Sequence, residues 1–279
     1  MGRIAAIQMT SGHRVEENLA VARELLRAAK DAGAAVACLP ENFAFLGLQD
    51  KDKLAVAESD GDGPVQAFLG ATARELGLWI LAGSVNLRVD ATDRVANAAL
   101  LVDAQGRRVA RYDKIHLFDV AIPGRDEQYR ESRTVMPGRR IVVVDTPVGR
   151  AGLSVCYDVR FPELYRELVA QGAEWLAVPS AFTVPTGRAH WEVLMRARAI
   201  ENLCYVVAPA QSGTHSNGRE TYGDTLIVDY WGQVLARRDR GAGVVVADLD
   251  LDQLAQTRAR FPVLQNRRLE TPRVAMEPV

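Results

Sequence analysis

Arg150-Ala-Gly-Leu-Ser-Val-Cys-Tyr-Asp-Val-Arg-Phe-Pro-Glu-Leu164 decides how this chain is read. It opens as an apolar run of small and β-branched residues that ends at Val155. It resumes as a helix start, with Pro162 and Glu163 in the first turn and Leu164, Tyr165 and Leu168 as an apolar face. Cys156 is therefore expected where a strand stops and a turn into a helix begins. Backbone N–H groups without helical partners surround such a position, and a thiolate is favoured beside them. The same cysteine also suits a buried place in the core, the commoner fate of a free thiol.

Working outward, strands are expected at 3–9, 35–40 and 79–86, with helices at 15–33 and 64–76 between them. Strand, helix, strand at this spacing implies parallel pairs joined by right-handed crossovers. The segments 95–102 and 107–111 flank Asp103-Ala-Gln-Gly106 as a hairpin, and 140–146 and 150–155 flank Pro147-Val-Gly149 as another. Past Cys156 come a helix at 162–172, a strand at 175–179, a long helix at 188–203 and a strand at 204–208. A hairpin of 221–229 with 233–236, a strand at 243–249 and a polar tail from 257 complete the chain. The segment 120–137 has no clear periodicity and reads as a long loop with a functional role. Runs such as Val142–Val144, Leu176–Val178 and Val244–Val246 are apolar on both faces, so both faces of each sheet must be covered. Two central sheets with helices outside satisfy this.

The chain has 279 residues, 48% hydrophobic and 25% charged, with a net charge of −1. That is ordinary for a globular protein and carries no nucleic-acid or membrane footprint. The start at Met1 turns polar too soon for a secretory signal, and no apolar run is long enough to cross a membrane. Cys38, Cys156 and Cys204 are too few and too widely spaced for a disulfide framework or a metal knuckle. A cytoplasmic protein is expected. Cys38 and Cys204, inside strands, read as core. His116 and His190 lack a second ligand at helical or turn spacing, so no metal or cofactor is expected. Of 34 basic residues only four are lysines, and Lys114 is the one beyond position 53. An ammonium with an adjustable pKa is a different tool from a guanidinium.

Glu41, Lys114 and Cys156 all stand at strand ends or just beyond them, where sites form in open α/β sheets. A carboxylate can take a thiol proton and return it to a leaving amine, and an ammonium can stabilise an oxyanion. The set suits acyl transfer from a C–N bond.

Four stretches carry a resemblance. They are Leu39-Pro-Glu-Asn42, Tyr112-Asp-Lys-Ile-His-Leu-Phe118, Gly152 to Leu164, and Gly187-Arg-Ala-His-Trp-Glu-Val-Leu-Met-Arg-Ala-Arg-Ala-Ile-Glu-Asn202. In this order they resemble the nitrilase superfamily of carbon–nitrogen hydrolases, from Arg3 to about Leu269. The resemblance implies one domain over residues 1–279, with a catalytic core at about 3–255 and a tail at about 256–279. It implies a four-layer α-β-β-α sandwich that pairs sheet to sheet in a homodimer or larger assembly. It implies a Glu41–Lys114–Cys156 triad, with Glu131 holding Lys114 or the substrate. The words around Cys156, Pro179-Ser-Ala-Phe182 and Gly187 are most similar to the branch of deaminated glutathione amidases and ω-amidases. Ser180 stands where ω-amidases commonly carry glycine, and Arg188 departs from a common proline. The implied function is thiol hydrolysis of a side-chain amide, on a small carboxylate-bearing substrate, to acid plus ammonia. ω-Amidase action on 2-oxoglutaramate or 2-oxosuccinamate is the alternative, and a non-catalytic interaction protein on the same scaffold is the alternative from another class.

Arg160 is expected either to bind a substrate carboxylate or to pair with Asp158 or Glu163. Tyr157 is expected to offer its backbone N–H to the oxyanion, and Phe43, Ser180, Phe182 and Thr186 are candidate residues around the substrate. Arg196 and Arg198, with Glu192 and Glu201, read as an ion-paired scaffold.

Overall fold

The computed structural model describes residues 1–123 and 127–269. Its first sheet contains β1 (Gly2–Gln8), β2 (Val36–Cys38), β3 (Trp79–Arg88), β4 (Val95–Val102) and β5 (Arg108–Asp113). After the short hairpin β6 (Asp119–Ala121) and β7 (Gln128–Arg130), the second sheet begins with β8 (Val143–Thr146), β9 (Gly149–Leu153), β10 (Trp175–Ala177) and β11 (Tyr205–Ala208). A small hairpin of β12 (Ser212–Thr214) and β13 (Glu220–Tyr222) precedes β14 (Thr225–Val228), β15 (Val234–Arg238) and β16 (Gly243–Leu249). The six-stranded sheets run β16-β1-β2-β3-β4-β5 and β15-β14-β11-β10-β9-β8. Each has a parallel trio, β1-β2-β3 in one and β9-β10-β11 in the other, flanked by antiparallel strands.

Strand alternation explains the layers. Ile4, Ala6, Val36 and Cys38 face the second sheet and share a core with Leu153, Ala177 and Val207, which lie on one side of it. Ala5, Ile7, Ala37 and Leu39 point the other way, onto α1 (Val15–Asp31) and α2 (Pro64–Leu76) through Ala22, Leu26, Leu69 and Ala73. On the far side, α3 (Pro162–Ala170) and α4 (Val184–Asn202) cover the second sheet through Leu164, Leu168, Met195 and Ala199. The four layers expected from strands apolar on both faces are those of the molecule.

Four details differ from the sequence expectations. The segment 120–137 is not all loop, since it contains β6 and β7. The long helix starts a turn early, at Val184, because Pro185 suits a first helical turn. The expected strand 221–229 breaks between β13 and β14, where Gly223 and Asp224 both have positive φ, 77° and 64°. The polar tail begins with a helix, α5 (Leu251–Arg260), capped by Asp250 accepting from the Gln253 N–H at 2.9 Å. The expected core–tail boundary near 255 falls inside it. Among the described residues no helix is long and apolar enough to cross a membrane.

Candidate active site

Two strand ends meet across the sandwich. On the first sheet, β2 runs out through Leu39 and Pro40 to Glu41. The chain passes so close to β3 that a Cβ at Gly83 would run into the Leu39 carbonyl oxygen, so glycine is required there. Asn42 then turns with φ 58°, its N–H donating to Ser84 Oγ at 3.0 Å. On the second sheet, Cys156 takes the strained left-handed conformation, φ 50°, and opens a 3₁₀ turn (Cys156–Arg160). Its N–H donates to the Pro179 carbonyl at 2.9 Å.

Buried Asp158 ties this turn to the segment that carries Lys114. It accepts from the Val155 N–H at 2.8 Å, Tyr112 Oη at 2.7 Å and the His116 N–H at 3.0 Å, and it contacts His116 Nδ1 at 2.8 Å. Lys114 follows β5 and is anchored by its own N–H to the Asn97 carbonyl at 3.0 Å. Its ammonium lies 2.9 Å from Glu41 Oε1 and 3.1 and 2.9 Å from the two oxygens of Glu131. Glu131 also accepts from the Phe118 N–H at 2.7 Å. The Asn97 amide donates to Glu41 Oε1 at 3.1 Å and to Glu131 Oε1 at 3.2 Å. Cys156 faces the Glu41 carboxylate, the Lys114 ammonium and the Ala181 N–H.

These neighbours set the charge states. Burial works against charge on Lys114, but Glu131 and Glu41 outweigh it and hold the ammonium well above its usual pKa. Burial also opposes charge on Glu131, and Lys114, with Lys53 beyond it, brings the carboxyl below its usual value. Burial and the Glu41 carboxylate push the Cys156 thiol up, against the pull of Lys114. Cys156 is thus a neutral thiol at rest, beside a carboxylate. One Glu41 oxygen is held by Lys114 and Asn97, leaving the other for the thiol proton.

The site forms the floor of a cavity of about 600 Å³, measured to its open mouth. Of the candidate residues, Glu41, Lys114, Glu131, Cys156, Tyr157, Arg160, Phe182 and Thr186 all line it. Phe43 and Ser180 do not. Asn42 swings Phe43 back into the core under α1, fully buried, and Ser180 is fully buried with its hydroxyl on the Val178 carbonyl at 3.0 Å. Arg160 pairs with neither Asp158 nor Glu163. Its guanidinium lies over the rings of Tyr157 and Phe182 and meets His190 Nδ1 at 3.2 Å. His116 stacks on Phe161 at 3.7 Å. Arg196 and Arg198 pair with Glu192 and Glu201 as a scaffold, and Cys38 and Cys204 are buried in the core.

Sequence reading missed Asn97, Lys53 and Arg219. Asn97 had a signal, a lone amide inside the apolar run Val95–Val102. Lys53 was one of four lysines. Arg219 had none, because only the β12–β13 hairpin brings it to the cavity.

A carbon–nitrogen hydrolase family model matches residues 3–259. A deaminated glutathione amidase of Synechocystis sp. (strain PCC 6803 / GT-S) is 46% identical over 266 residues, covering 94% of this chain and 97% of the relative. Among solved structures, the C. elegans NitFhit protein is 40% identical with a TM-score of 0.89 over 96% of this chain, which spans 66% of that longer protein. A mutant of the amidase from Nesterenkonia sp. AN1, solved with acrylamide added at its active-site cysteine, is 26% identical with a TM-score of 0.78, covering 94% and 98% of the two chains. The chain belongs to the carbon–nitrogen hydrolases of the nitrilase superfamily.

Proposed function

We propose that this amidase cleaves deaminated glutathione through a cysteinyl thioester, with Glu41, Lys114 and Cys156 as its catalytic residues. The observation that carries the reading is the Cys156 thiol placed among the Glu41 carboxylate, the Lys114 ammonium and the Ala181 N–H. The substrate class comes from the relatives named for it.

Even an ordinary thiol is only a few per cent thiolate at pH 7. Cys156 holds its proton more tightly still, so the proton leaves as the S–C bond forms. Glu41 takes it, and the sulfur adds to the amide carbonyl. The oxyanion is met by Lys114 and by the Tyr157 N–H, which lies in the first turn where backbone donors lack helical partners. Glu41 then protonates the amide nitrogen, the C–N bond breaks, and the acyl group stays on Cys156 as a thioester. Glu41 next draws a proton from water, which adds to the thioester, and the acid leaves as sulfur recovers its proton. Glu131 keeps Lys114 charged and in place throughout. Arg160, with no carboxylate partner among the described residues, is free to hold the carboxylate of the acyl group. Tyr157, Phe182 and Thr186 wall the acyl site.

One expectation changes on chemical grounds. In deaminated glutathione the amide next to the oxo acid joins it to cysteinylglycine, so the leaving group is a dipeptide amine. Ammonia is the leaving group only for a primary amide such as 2-oxoglutaramate.

We read the chain as a single catalytic domain that works as a homodimer in a reducing, cytoplasmic compartment. The three free cysteines suit such a compartment. Exposed Val193 and Ile200 on α4, beside the Trp231–Phe261 pair, offer an apolar face for a partner copy. The test is product analysis with wild type and Cys156→Ala. Cysteinylglycine and 2-oxoglutarate appearing from deaminated glutathione, faster than ammonia from 2-oxoglutaramate and not at all in the variant, supports the reading. Preference for 2-oxoglutaramate moves the substrate to that of an ω-amidase. Full turnover by Cys156→Ala overturns the mechanism.

A further inference from the structure

We propose that Arg219 binds a carboxylate on the leaving amine, so that the cavity selects amides with an anion at each end. The inference rests on the amidase reading above and sharpens its substrate class.

Arg219 precedes β13 and lines the cavity. Its Nη2 donates to the Ala181 carbonyl at 3.0 Å, and its guanidinium lies 5.1 Å from the centre of the Tyr129 ring. Its Nε–H is buried and has no hydrogen-bond partner. No carboxylate among the described residues lies within ion-pair distance of it. An unsatisfied buried donor on a charged group is costly in an unoccupied protein, and a bound anion removes that cost. Asp50, Lys53 and Arg130 also line the cavity. The field of Lys53 falls on Glu131, and Asp50 acts on Tyr129 without pairing with Arg219.

The spacing of the two guanidinium groups points the same way. Tyr129, Phe118 and Tyr157 form a row of rings with centres 5.0 and 5.1 Å apart. Arg219 sits over one end of the row, and Arg160 over the other, 5.7 Å from Tyr157. Arg160 belongs to the turn that begins at Cys156, so its place relative to the sulfur is fixed while an acyl group is attached. That makes it the acyl-side cation. Arg219 reaches the site from a separate hairpin, through Ala181, whose N–H addresses Cys156 and whose carbonyl takes the guanidinium. An amine-side anion two residues from the scissile nitrogen reaches about 7 Å when extended, and Arg219 is the cation tied to the far end of Ala181, the residue whose N–H addresses the sulfur. Cysteinylglycine ends in such a carboxylate. The ammonia of 2-oxoglutaramate offers none.

The test compares Arg219→Gln and Arg219→Lys with wild type on three substrates: deaminated glutathione, its C-terminal carboxamide, and 2-oxoglutaramate. The expected result is a loss of about tenfold to a hundredfold in kcat/KM on deaminated glutathione for Arg219→Gln, with partial recovery in Arg219→Lys. Wild type should lose a similar factor on the carboxamide, and the variant should lose little more when both changes are combined. An equal loss on all three substrates, as a purely structural role gives, would overturn the proposal. So would a wild type indifferent to the carboxamide. Should wild type turn over none of the three, the amidase reading fails separately. The inference is then decided by protection of Cys156 from iodoacetamide. Stronger protection by deaminated glutathione than by its carboxamide in wild type but not in Arg219→Gln sustains it, and equal protection ends it.

Discussion

The floor and the rim of the cavity handle charge in opposite ways. On the floor, Lys114 is 2% exposed and Glu41 4%, and the ammonium touches both Glu41 and Glu131 while the Asn97 amide bridges the two carboxylates. On the rim, half-buried Arg160 and Arg219 lie over aromatic rings and touch no carboxylate among the described residues. Buried charges must be paired where they stand, because an unpaired one is severely destabilising. The floor is therefore complete before substrate arrives, as preorganised electrostatic catalysis requires. The rim is left for the substrate to complete. In the mechanism proposed above, this difference gives rate to one layer and choice of substrate to the other.

The largest way to break this division is at the floor. Cys156→Ala should abolish turnover of every amide, which product assays check directly. Lys114→Ala should cost about 10²–10³ in kcat as an oxyanion donor is lost. It should also lower stability by roughly 3–5 kcal/mol, since two buried carboxylates lose their cation, and urea unfolding separates the two effects. Lys114→Ala with near-normal kcat would refute its role.

Asn97 sharpens the comparison at smaller scale. Removing its amide from both glutamates in Asn97→Ala should lower kcat about tenfold, the worth of hydrogen bonds to charged groups. The loss should fall on kcat with KM little changed, because the amide touches the two carboxylates and not the substrate. A rise in KM with an unmoved kcat would reduce Asn97 to shaping the pocket. At the rim, Arg160→Gln should instead raise KM about tenfold on both deaminated glutathione and 2-oxoglutaramate, with kcat little changed, the pattern of lost uniform binding. A fall in kcat without a rise in KM would move Arg160 to the floor.

The smallest effect is on stability against pH. Glu131 is held below its ordinary 4.5, so its contribution is present above that pH and fades as pH falls through the lowered value. The Cys156 thiol is raised above its ordinary 9.0, so its contribution is present below pH 9.0 and fades as pH rises toward the raised value. Between these limits urea midpoints should also decline as pH falls below 6.5, where burial holds His215 under its ordinary value, and Cys156→Ala should soften the alkaline decline.

The floor was legible in the chain because its parts stand at strand ends. Apolar runs such as Val36-Ala-Cys38 announce the strand, and a charged residue just past it has nowhere to go but the sheet's edge. The bounds of α2 were legible for a related reason, Pro64 opening it and Gly77 closing it with φ 57°. The rim was not legible. Whether a side chain after a turn faces the cavity depends on one dihedral, and the positive φ of Asn42 sends Phe43 into the core. Arg219 comes to Ala181 across 38 residues of chain through a hairpin that no local pattern marks. α5 was hidden by its solvent face, since only Leu254 is fully buried.

Deaminated glutathione and 2-oxoglutaramate differ in their leaving amines and share one acyl group, so they test the division between floor and rim together. The measurement is rapid quenching of wild type with each substrate, followed by mass spectrometry of the peptide that carries Cys156. The same 2-oxoglutaryl thioester should form on Cys156 from both, decaying at the same rate because the amine has already left, and none should form in Cys156→Ala. No adduct, an adduct on another residue, or decay that depends on which amine departed would contradict the thioester mechanism.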